Sequence, residues 1–392
     1  MTDSVLIVGA SVAGIGAANE LRRRGFPGKI TLVDAQRDLP YDRPPLSKAF
    51  LLGQAALSDL QFHGRDHYVQ AGIDLALGSA VVWLDTDKRM VFLKSGEQLT
   101  ADRIIIATGA RARPFPAARC SAAIHLLRDL RDADALRAEL RRGKRLAVIG
   151  GGFIGAEVAS SASTLGLDVV IVEAARLPFE RVLGDQIAAR IAALHSPAGI
   201  ELLCGTTVDY IEDAGSRRRL LLANGRWIEA DIVIAGLGAL PNVEWLASSG
   251  LKLANGIVCD EQGRTSAPGI FAAGDAAAWF NPSTGLCERH EHWTAAREQS
   301  RIVAQAIAGD ITMSWAAFVP YFWSDLHGVR LQLLGTAEGA DQTRIVHEDR
   351  ERRAFVGEYR NGDVLIGVFG CNAAAKTMRY MPQLSRGLPA MA

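Results

Sequence analysis

Two glycine-rich turns, each set between short apolar runs, constrain this chain more than any other sequence feature. In the first, an apolar run at residues 5–8 leads into Gly9-Ala-Ser11-Val-Ala-Gly14, and a helical stretch and a second apolar run follow, ending at Asp34. Continuous apolar runs of this length are typical of strands that are buried on both faces. The segment therefore predicts a βαβ unit with a parallel sheet.

The pattern recurs with a full set of glycines, Gly150, Gly152 and Gly155, and its second apolar run ends at Glu173. A glycine turn at a helix N-terminus offers backbone N–H groups to a pyrophosphate, and the acid that ends the second strand can accept from a ribose hydroxyl. One such motif is weak evidence. Two copies, each with its own strands and acid, predict two dinucleotide-binding domains.

Ser11 stands where the second glycine of the first copy is usual, so a Cβ lies where the backbone should approach a phosphate. Its hydroxyl could donate to that phosphate instead. A strand, turn and helix that bind no ligand are the alternative interpretation of this copy.

A second repeated segment supports a duplication. Residues 101–109 and 230–238 each begin with Ala-Asp, continue as a buried-strand run and end in glycine, where the backbone can approach a ligand. Short alternating runs at 81–83 and 90–93 predict small strands inserted in the first domain. We therefore expect an α/β fold with two Rossmann-like domains.

The character of the chain changes near residue 314, where strands of period two begin. Asn361-Gly362 between two such strands indicates a hairpin, and a helical tail is expected from about Ala373 to Leu384. These features predict a small C-terminal α+β domain. The expected domains are residues 1–112 with 237–313, residues 113–236, and residues 314–392.

Composition excludes several functional classes. The 43 basic and 43 acidic residues balance, so no bulk charge favours nucleic acid as a partner. The five cysteines and the eight histidines show no metal-ligand spacing, and no metal site is expected. No uncharged apolar run reaches the ~18 residues that a membrane span needs. We therefore expect a cytoplasmic protein with no membrane partner.

Two further segments carry candidate polar groups. Residues 40–48 contain Pro44 and Pro45, which make the loop stiff and extended, and an ordinary proline-rich surface connection is its alternative interpretation. Gly274-Asp275 ends another apolar run. There we expect the start of a helix of small residues, with Asp275 facing the cofactor or capping the first turn.

These motifs together resemble those of the FAD-dependent pyridine nucleotide oxidoreductases, whose fold is that of glutathione reductase. Within that family the chain is similar to the class I ferredoxin reductases that serve cytochrome P-450 and Rieske-type oxygenases. The likeness also includes residues 291–293 and 320–325 and spans almost the whole length. It implies FAD on the first glycine motif and NADH on the second.

The resemblance also implies the residues that contact the cofactors. For FAD they are Gly9, Ser11, Ala13, Gly14, Asp34, Arg43, Lys48, Val82, Ala107, Thr108, Gly109, Arg111, Arg128, Gly274, Asp275, Glu291, His292 and Trp293. For NADH they are Gly150, Gly152, Phe153, Ile154, Gly155, Glu157, Glu173 and Gly238. Glu173 favours NADH because a carboxylate repels a 2′-phosphate, although the nearby Arg176 weakens that inference.

The resemblance further predicts the route of the electrons. Lys48 and Glu157 are expected to form a charge pair beside the flavin, unless Lys48 only begins a helix and Glu157 is a solvated helix residue. Trp293 and Trp323 are candidates for the electron exit. Relatives with redox thiols carry cysteines near residue 48, whereas this chain has none before Cys120, so electrons must leave from the flavin itself.

The expected activity is that of an NADH-dependent ferredoxin reductase, with a [2Fe–2S] ferredoxin or a rubredoxin as the acceptor and a monomer or weak homodimer as the assembly. The alternatives are an NADH oxidase or quinone reductase, and an NADH-sensing interaction flavoprotein similar to apoptosis-inducing factor.

Overall fold

The structure is a computed structural model that describes residues 3–282 and 284–387. Of the predicted domains, residues 1–2, residue 283 and residues 388–392 therefore lie outside the described residues.

The strands, in chain order, are β1 Ser4–Val8, β2 Lys29–Asp34, β3 Ile73–Leu77, β4 Val81–Asp85, β5 Met90–Leu93, β6 Gln98–Thr100, β7 Arg103–Ile106, β8 Ala110–Ala112, β9 Arg145–Ile149, β10 Asp168–Glu173, β11 Ile200–Cys204, β12 Val208–Ala214, β13 Arg217–Leu222, β14 Trp227–Ala230, β15 Ile232–Ala235, β16 Ala239–Pro241, β17 Leu253–Ala254, β18 Gly256–Cys259, β19 Ile270–Ala272, β20 Ala277–Asn281, β21 Leu286–Glu288, β22 Tyr321–Leu326, β23 Val329–Gly335, β24 Gln342–Asp349, β25 Ala354–Asn361 and β26 Val364–Cys371. The α-helices are α1 Val12–Arg23, α2 Leu57–Leu60, α3 Arg65–Gln70, α4 Leu130–Glu139, α5 Phe153–Thr164, α6 Glu180–Ala192, α7 Trp293–Ala308, α8 Ala374–Met378 and α9 Met381–Gly387.

The first glycine turn belongs to a parallel sheet with the strand order β19-β7-β1-β2-β3. Ile7, Ile30, Leu32 and Ile104 in its central strands are fully buried. Burial on both faces explains why these strands are continuous apolar runs without alternation. The predicted small strands form a separate antiparallel sheet, β4-β5-β6.

The second glycine turn belongs to a parallel sheet with the order β11-β10-β9-β15. The duplication is confirmed in a detail of the two sheets. The backbone N–H of Ser4 donates to Asp102 Oδ2 at 2.9 Å, and that of Arg145 donates to Asp231 Oδ2 at 2.7 Å. The aspartate of each repeated Ala-Asp therefore links the start of the strand before the glycine turn to the start of the neighbouring strand.

The C-terminal part is an antiparallel sheet with the order β22-β23-β26-β25-β24, followed by α8 and α9. The predicted hairpin is confirmed, because Asn361 pairs with Val364 and Gly362 has a φ of 56°. The expected fold class, two Rossmann-like domains with a C-terminal α+β domain, is thus confirmed.

Strands β8 and β16 pair with each other where the chain passes between the two parallel sheets, close to the predicted boundaries at 112 and 237. The exact domain limits stay a prediction. Across the described ranges, no helix is both long and apolar enough to span a bilayer, and no group of three or more potential metal ligands occurs.

The prediction that a helix starts after Asp275 is wrong. Gly274–Ala276 form only a short 3-10 turn, and strand β20 follows directly. Small residues at 276–278 suit either structure locally, but β20 pairs in parallel with β18 and buries Trp279 completely. Tertiary pairing therefore overrides the local preference. The next helix, α7, begins at Trp293 and not beside Asp275.

Candidate functional site

The first glycine turn is too tight for any side chain. Gly9 has a φ of 110°, and a Cβ built there would lie 2.2 Å from the carbonyl oxygen of Ala107. A Cβ at Gly14 would lie 1.8 Å from the carbonyl oxygen of Gly9. Because both contacts are with backbone, the turn and the start of helix α1 require glycine at these two positions.

The second turn repeats this geometry. Gly150 has a φ of 96°, and a Cβ there would lie 2.5 Å from the carbonyl oxygen of Gly236. A Cβ at Gly155 would lie 2.1 Å from the carbonyl oxygen of Gly150. The two turns are therefore built alike. The first packs against Ala107 and the second against Gly236, near the ends of the repeated segments 101–109 and 230–238.

The middle position of each turn is open. A Cβ at Gly152 would meet no heavy atom within 4 Å. The equivalent Ser11 side chain makes no hydrogen bond to any described residue. The fold therefore tolerates a serine here, and the Ser11 hydroxyl is available to a ligand.

The acids at the strand ends close the two turns in the same way. Asp34 Oδ2 accepts a hydrogen bond from the Ala10 N–H at 2.6 Å, and Glu173 Oε2 accepts one from Gly151 at 2.7 Å. Glu173 Oε1 also accepts from the Ala175 N–H at 2.8 Å. A carboxylate has about four acceptor sites, so each acid keeps capacity for a ribose hydroxyl.

A large cleft runs from the first turn toward the C-terminal sheet, with about 1290 Å³ of empty space that opens to solvent. The predicted residues that line it are Gly9, Ser11, Ala13, Asp34, Arg43, Lys48, Ala107, Thr108, Gly109, Arg128, Phe153, Ile154, Glu157, Gly274, Asp275, Glu291, Trp293 and Trp323. The loop at 40–48 is therefore a wall of this cleft and not an ordinary surface connection.

Arg43 is the cleft cation that the protein leaves unpaired. Its side chain makes no hydrogen bond or ion pair with any residue in the described ranges, although burial and the nearby Arg128 lower the pKa of its guanidinium. Arg128, by contrast, donates to Asp275 Oδ2 at 2.6 Å and to the Ala110 carbonyl at 2.8 Å. A desolvated, unpaired cation is costly, so this position fits an anionic group such as the FAD pyrophosphate.

Gly274 brings Asp275 close to helix α1. It has a φ of 76°, and a Cβ there would lie 3.0 Å from the Cβ of Ala13. The Gly274 N–H donates to Gln299 Oε1 of helix α7 at 2.8 Å. The Asp275 carboxylate therefore reaches the cleft from a fixed backbone, without a helix N-terminus behind it.

Thr108 and Asn242 fasten the two crossing segments beside the cleft. Thr108 Oγ1 donates to the Asn242 carbonyl at 2.9 Å, and Asn242 Nδ2 returns a bond of 2.9 Å to the Thr108 carbonyl. Arg111 lies outside the main cleft and forms an ion pair with Glu244. The Thr108 hydroxyl therefore donates its hydrogen bond within the protein and not to a ligand.

The predicted charge pair is present. Lys48 Nζ lies 2.7 Å from Glu157 Oε1, and the two side chains are 20% and 4% exposed. Glu157 is therefore not a solvated helix residue. Lys48 follows the 3-10 turn at Pro44–Ser47 and does not begin a helix, so both structural alternatives are wrong.

Two serines complete the surroundings of Glu157. Ser47 Oγ donates to Glu157 Oε2 at 2.5 Å, and Ser324 Oγ donates to Oε1 at 2.6 Å. Together with Lys48, every polar neighbour of the carboxylate is a donor. These three contacts fix the position of the carboxylate between the loop at 40–48, helix α5 and strand β22.

Aromatic side chains cover the same end of the cleft. The rings of Phe153 and Phe322 have centroids 4.1 Å apart. Trp293 meets Trp323 edge-on at 6.0 Å, and Trp323 stacks on Tyr321 at 5.9 Å. Helix α5, helix α7 and strand β22 therefore each contribute aromatic side chains to the lining of the cleft.

Trp293 also has a polar contact. Its Nε1–H donates to Asp42 Oδ1 at 2.8 Å. Burial raises the pKa of the Asp42 carboxyl, and the bond from Trp293 opposes that rise. This contact ties the loop at 40–48 to the start of helix α7.

Some predicted residues lie away from the lining of the main cleft: Gly14, Val82, Arg111, Gly150, Gly152, Gly155, Glu173, Gly238 and His292. Val82 is 45% exposed in the small sheet β4-β5-β6. His292 is partly buried, its ring lies 5.6 Å from that of Phe322, and desolvation lowers its pKa to about 4. Glu291 is in the lining and pairs with Arg289 at 2.6 Å.

Sequence reasoning missed several members of the cleft. Asp42, Ser47, Tyr321 and Phe322 line it, and Ser324 contacts Glu157 from the layer behind. All five lie in segments that the family motifs include. These residues could not be found from the sequence because their role depends on contacts between distant segments. Nothing in the sequence places Ser324 beside the helix that begins at Phe153.

Comparisons with known proteins agree with this geometry. Residues 3–300 match the family described as pyridine nucleotide-disulphide oxidoreductase, and residues 321–391 match the reductase C-terminal family. Putidaredoxin reductase of Pseudomonas putida is 36% identical, with 93% of this chain and 88% of the relative covered.

Two further matches are of the same kind. The ferredoxin–NAD(+) reductase subunit of the benzene 1,2-dioxygenase system of Pseudomonas putida is 38% identical, covering 86% of this chain and 82% of the relative. The crystal structure of the covalent putidaredoxin reductase–putidaredoxin complex matches with a TM-score of 0.93 and 34% identity, covering 99% of this chain and 94% of that chain. The chain therefore belongs to the pyridine nucleotide-disulphide oxidoreductases, and its resemblance within them is to the ferredoxin–NAD(+) reductases, enzymes that use FAD and NADH.

Proposed function

We propose that this chain is the reductase component of an oxygenase system, which oxidises NADH and passes single electrons to a [2Fe–2S] ferredoxin. The observation that supports this most directly is the Lys48–Glu157 pair in the cleft, 2.7 Å apart. No cysteine is among the described residues that line this cleft. With no thiol in the lining to hold reducing equivalents, electrons would pass directly from the flavin to an outside acceptor, for which we propose a one-electron carrier.

The cleft residues fit FAD. The chemistry that bound FAD supplies is acceptance of a hydride and release of electrons one at a time. Ser11, the backbone of the first turn and Arg43 would hold its pyrophosphate, and Asp34 its adenosine ribose. Val82 would contact the adenine through its backbone, from the small sheet beside the cleft.

The chain's own residues contribute mainly fixed charge at the reacting end. The Lys48 side chain is only 20% exposed, and the ion pair with Glu157 holds its ammonium group in one position. Preorganised charge in a site with little water stabilises the negative charge that hydride transfer delivers. The aromatic side chains in the lining, including Phe153 and Phe322, add apolar surface to the same cleft.

The second glycine turn is the proposed NADH site. Gly150 and Gly155 shape its backbone, Glu173 accepts from the adenosine ribose, and the open position at Gly152 lets a pyrophosphate approach. Ile154 is 44% exposed at the start of helix α5, which leads from this turn into the main cleft. One helix thus serves both cofactors.

Lys48→Ala tests the role of the charge pair. We expect the rate of flavin reduction by NADH, followed at the flavin absorbance in anaerobic stopped-flow, to fall about tenfold or more. Lys29→Ala is the matched control, because Lys29 is 67% exposed and pairs with Asp74 on the surface. An unchanged reduction rate in Lys48→Ala would remove the proposed role of this residue.

The acceptor is tested by NADH-driven cytochrome c reduction with and without each carrier. Fast reduction with a [2Fe–2S] ferredoxin and slow reduction without carrier support the proposal. Preference for a rubredoxin would reassign the acceptor, and fast oxygen consumption without any carrier would favour an NADH oxidase. Light scattering at increasing concentration tests the predicted monomer or weak homodimer.

A further inference from the structure

We infer that rejection of NADPH is shared between Glu173 and an ion-pair clamp on Arg176, formed by Glu180 and Asp185. This inference rests on the proposed function, in which NADH binds the second glycine turn. Arg176 is the first cation after Glu173 in the chain, only three residues beyond it. A cation in this region is what an NADPH site uses to hold the 2′-phosphate.

In the structure, Arg176 is already paired with two carboxylates. Arg176 Nη2 lies 2.7 Å from Glu180 Oε1 and 2.8 Å from Asp185 Oδ2. Glu180 is itself fixed, because its other oxygen accepts the Leu177 N–H at 3.2 Å. The terminal nitrogen that would face a phosphate is thus shared by two carboxylates.

A break in helix α6 makes this arrangement possible. Residues five apart on a regular helix point about 140° away from each other, so Glu180 and Asp185 would face different sides. Gly184 interrupts the helix with a φ of 67° and a ψ of 165°. The second acid consequently turns back, and both carboxylates reach one guanidinium.

The charges then add up against a phosphate. Glu180 and Asp185 set two negative charges against the single positive charge of Arg176, and Glu173 adds a third, three residues earlier in the chain. A 2′-phosphate would meet net repulsion from this group, whereas the uncharged 2′-OH of NADH meets only the acceptor Glu173. Neutralising the two clamp acids would remove the repulsion and free Arg176 for a bidentate contact.

The clamp can be removed without endangering the fold. Arg176 is 62% exposed and Asp185 is 70% exposed, and exposed ion pairs contribute little to stability. Glu180 is 24% exposed, and a glutamine there can still accept the Leu177 N–H. The double variant Glu180→Gln/Asp185→Asn keeps the shape of both side chains. A matched control is Glu212→Gln/Glu229→Gln, which neutralises two partly exposed acids on the β12-β13-β14 sheet and makes the same change in net charge.

The experiment measures NADP⁺ and NAD⁺ binding by calorimetry, and kcat/KM with NADPH and NADH. In the clamp variant we expect NADP⁺ to bind about tenfold to a hundredfold more tightly, with kcat/KM for NADPH rising in parallel. NAD⁺ binding and the control variant should change less than about threefold. Adding Arg176→Ala to the clamp variant should abolish most of the gain.

Two results would overturn the inference: no gain for NADP⁺ in the clamp variant, or a full gain that persists after Arg176→Ala. The unmodified chain separates these failures from failure of the proposed function. If it prefers NADH and the clamp variant gains nothing, only the clamp is wrong. If it uses the two coenzymes equally, there is no rejection of NADPH and the inference is wrong. If it prefers NADPH, the assignment of NADH as the donor is wrong.

Discussion

Ser324 Oγ donates a hydrogen bond to Glu157 Oε1 at 2.6 Å, and it thereby links the C-terminal sheet to the helix that leads out of the second glycine turn. Both side chains are buried, Ser324 completely. Through Glu157, the C-terminal part of the chain helps to position Lys48 in the cleft. The third domain is therefore expected to influence the first half of the reaction as well as the second.

Ser324→Ala tests this link. Removing the hydroxyl leaves Glu157 Oε1 with one hydrogen-bond donor fewer. We therefore expect flavin reduction by NADH to slow about threefold to tenfold, and the free energy of unfolding to fall by about 1–3 kcal/mol. Stopped-flow absorbance and urea unfolding measure the two effects. Ser249→Ala is the control, because Ser249 is buried and donates to the Leu246 carbonyl at 2.7 Å, outside the cleft lining. A loss of stability with an unchanged reduction rate would show that Ser324 is only structural.

Arg43→Ala should weaken retention of FAD. The guanidinium has no partner among the described side chains, so its N–H groups can donate to a bound phosphate. Because the variant loses these hydrogen bonds, we expect the affinity for FAD to fall about tenfold to a hundredfold. Fluorescence titration of the apoprotein with FAD measures this change. Arg264→Ala, at an exposed pair with Asp260, is the control. Equal dissociation constants in the two variants would contradict the phosphate role.

A buried histidine pair predicts how stability depends on pH. His195 Nδ1 and His327 Nε2 lie 3.0 Å apart, and His195 is 1% exposed. Burial, and then the charge of His327, lower the pKa of His195 to about 4, while burial and then Arg353 lower the pKa of His327.

The sign follows from which state binds more protons. Between about pH 6.5 and pH 4, the unfolded chain protonates His195 and the folded chain does not, so stability falls as the pH falls through this window. The full loss from His195 is about 3 kcal/mol. Urea unfolding at pH 7.5, 6 and 5 measures it. His195→Gln should flatten the pH dependence, and an equally steep loss in that variant would assign the effect to other groups.

Trp323→Phe tests the electron exit. Trp323 lines the cleft between Trp293 and Tyr321, and a smaller ring would leave NADH binding intact. We expect an unchanged rate of flavin reduction and slower transfer to the ferredoxin, by about threefold to tenfold, with reduction of a small artificial acceptor as the reference. Trp83→Phe, on the small outer sheet, is the control. Equal slowing of both half-reactions would place Trp323 in the packing of the cleft.

The glycine turns and the parallel sheets were predictable because local sequence determines them. Backbone contacts at Gly9 and Gly150 leave room only for glycine, and strands buried on both faces must be apolar throughout. The Asn361-Gly362 hairpin was predictable for a similar reason, since its turn needs a residue that tolerates a positive φ.

Other features depend on contacts between distant segments. The donors on Glu157 come from Ser47 and Ser324, which lie 110 and 167 residues away along the chain. The run after Asp275 was mistaken for a helix because its small residues suit both structures, and only pairing with β18 decides for a strand. The Arg176 clamp needs the break at Gly184, which helical periodicity conceals.

Glu173 has two duties that cannot be separated by substitution. Its oxygens hold the N–H groups of Gly151 and Ala175, so they shape the turn itself, and in the proposed NADH site they would also accept from a ribose hydroxyl. Replacing Glu173 to change the nicotinamide preference would therefore damage the turn in the same step. The charge around Arg176 can instead change through positions 180 and 185 without loss of the two hydrogen bonds by which Glu173 holds the turn.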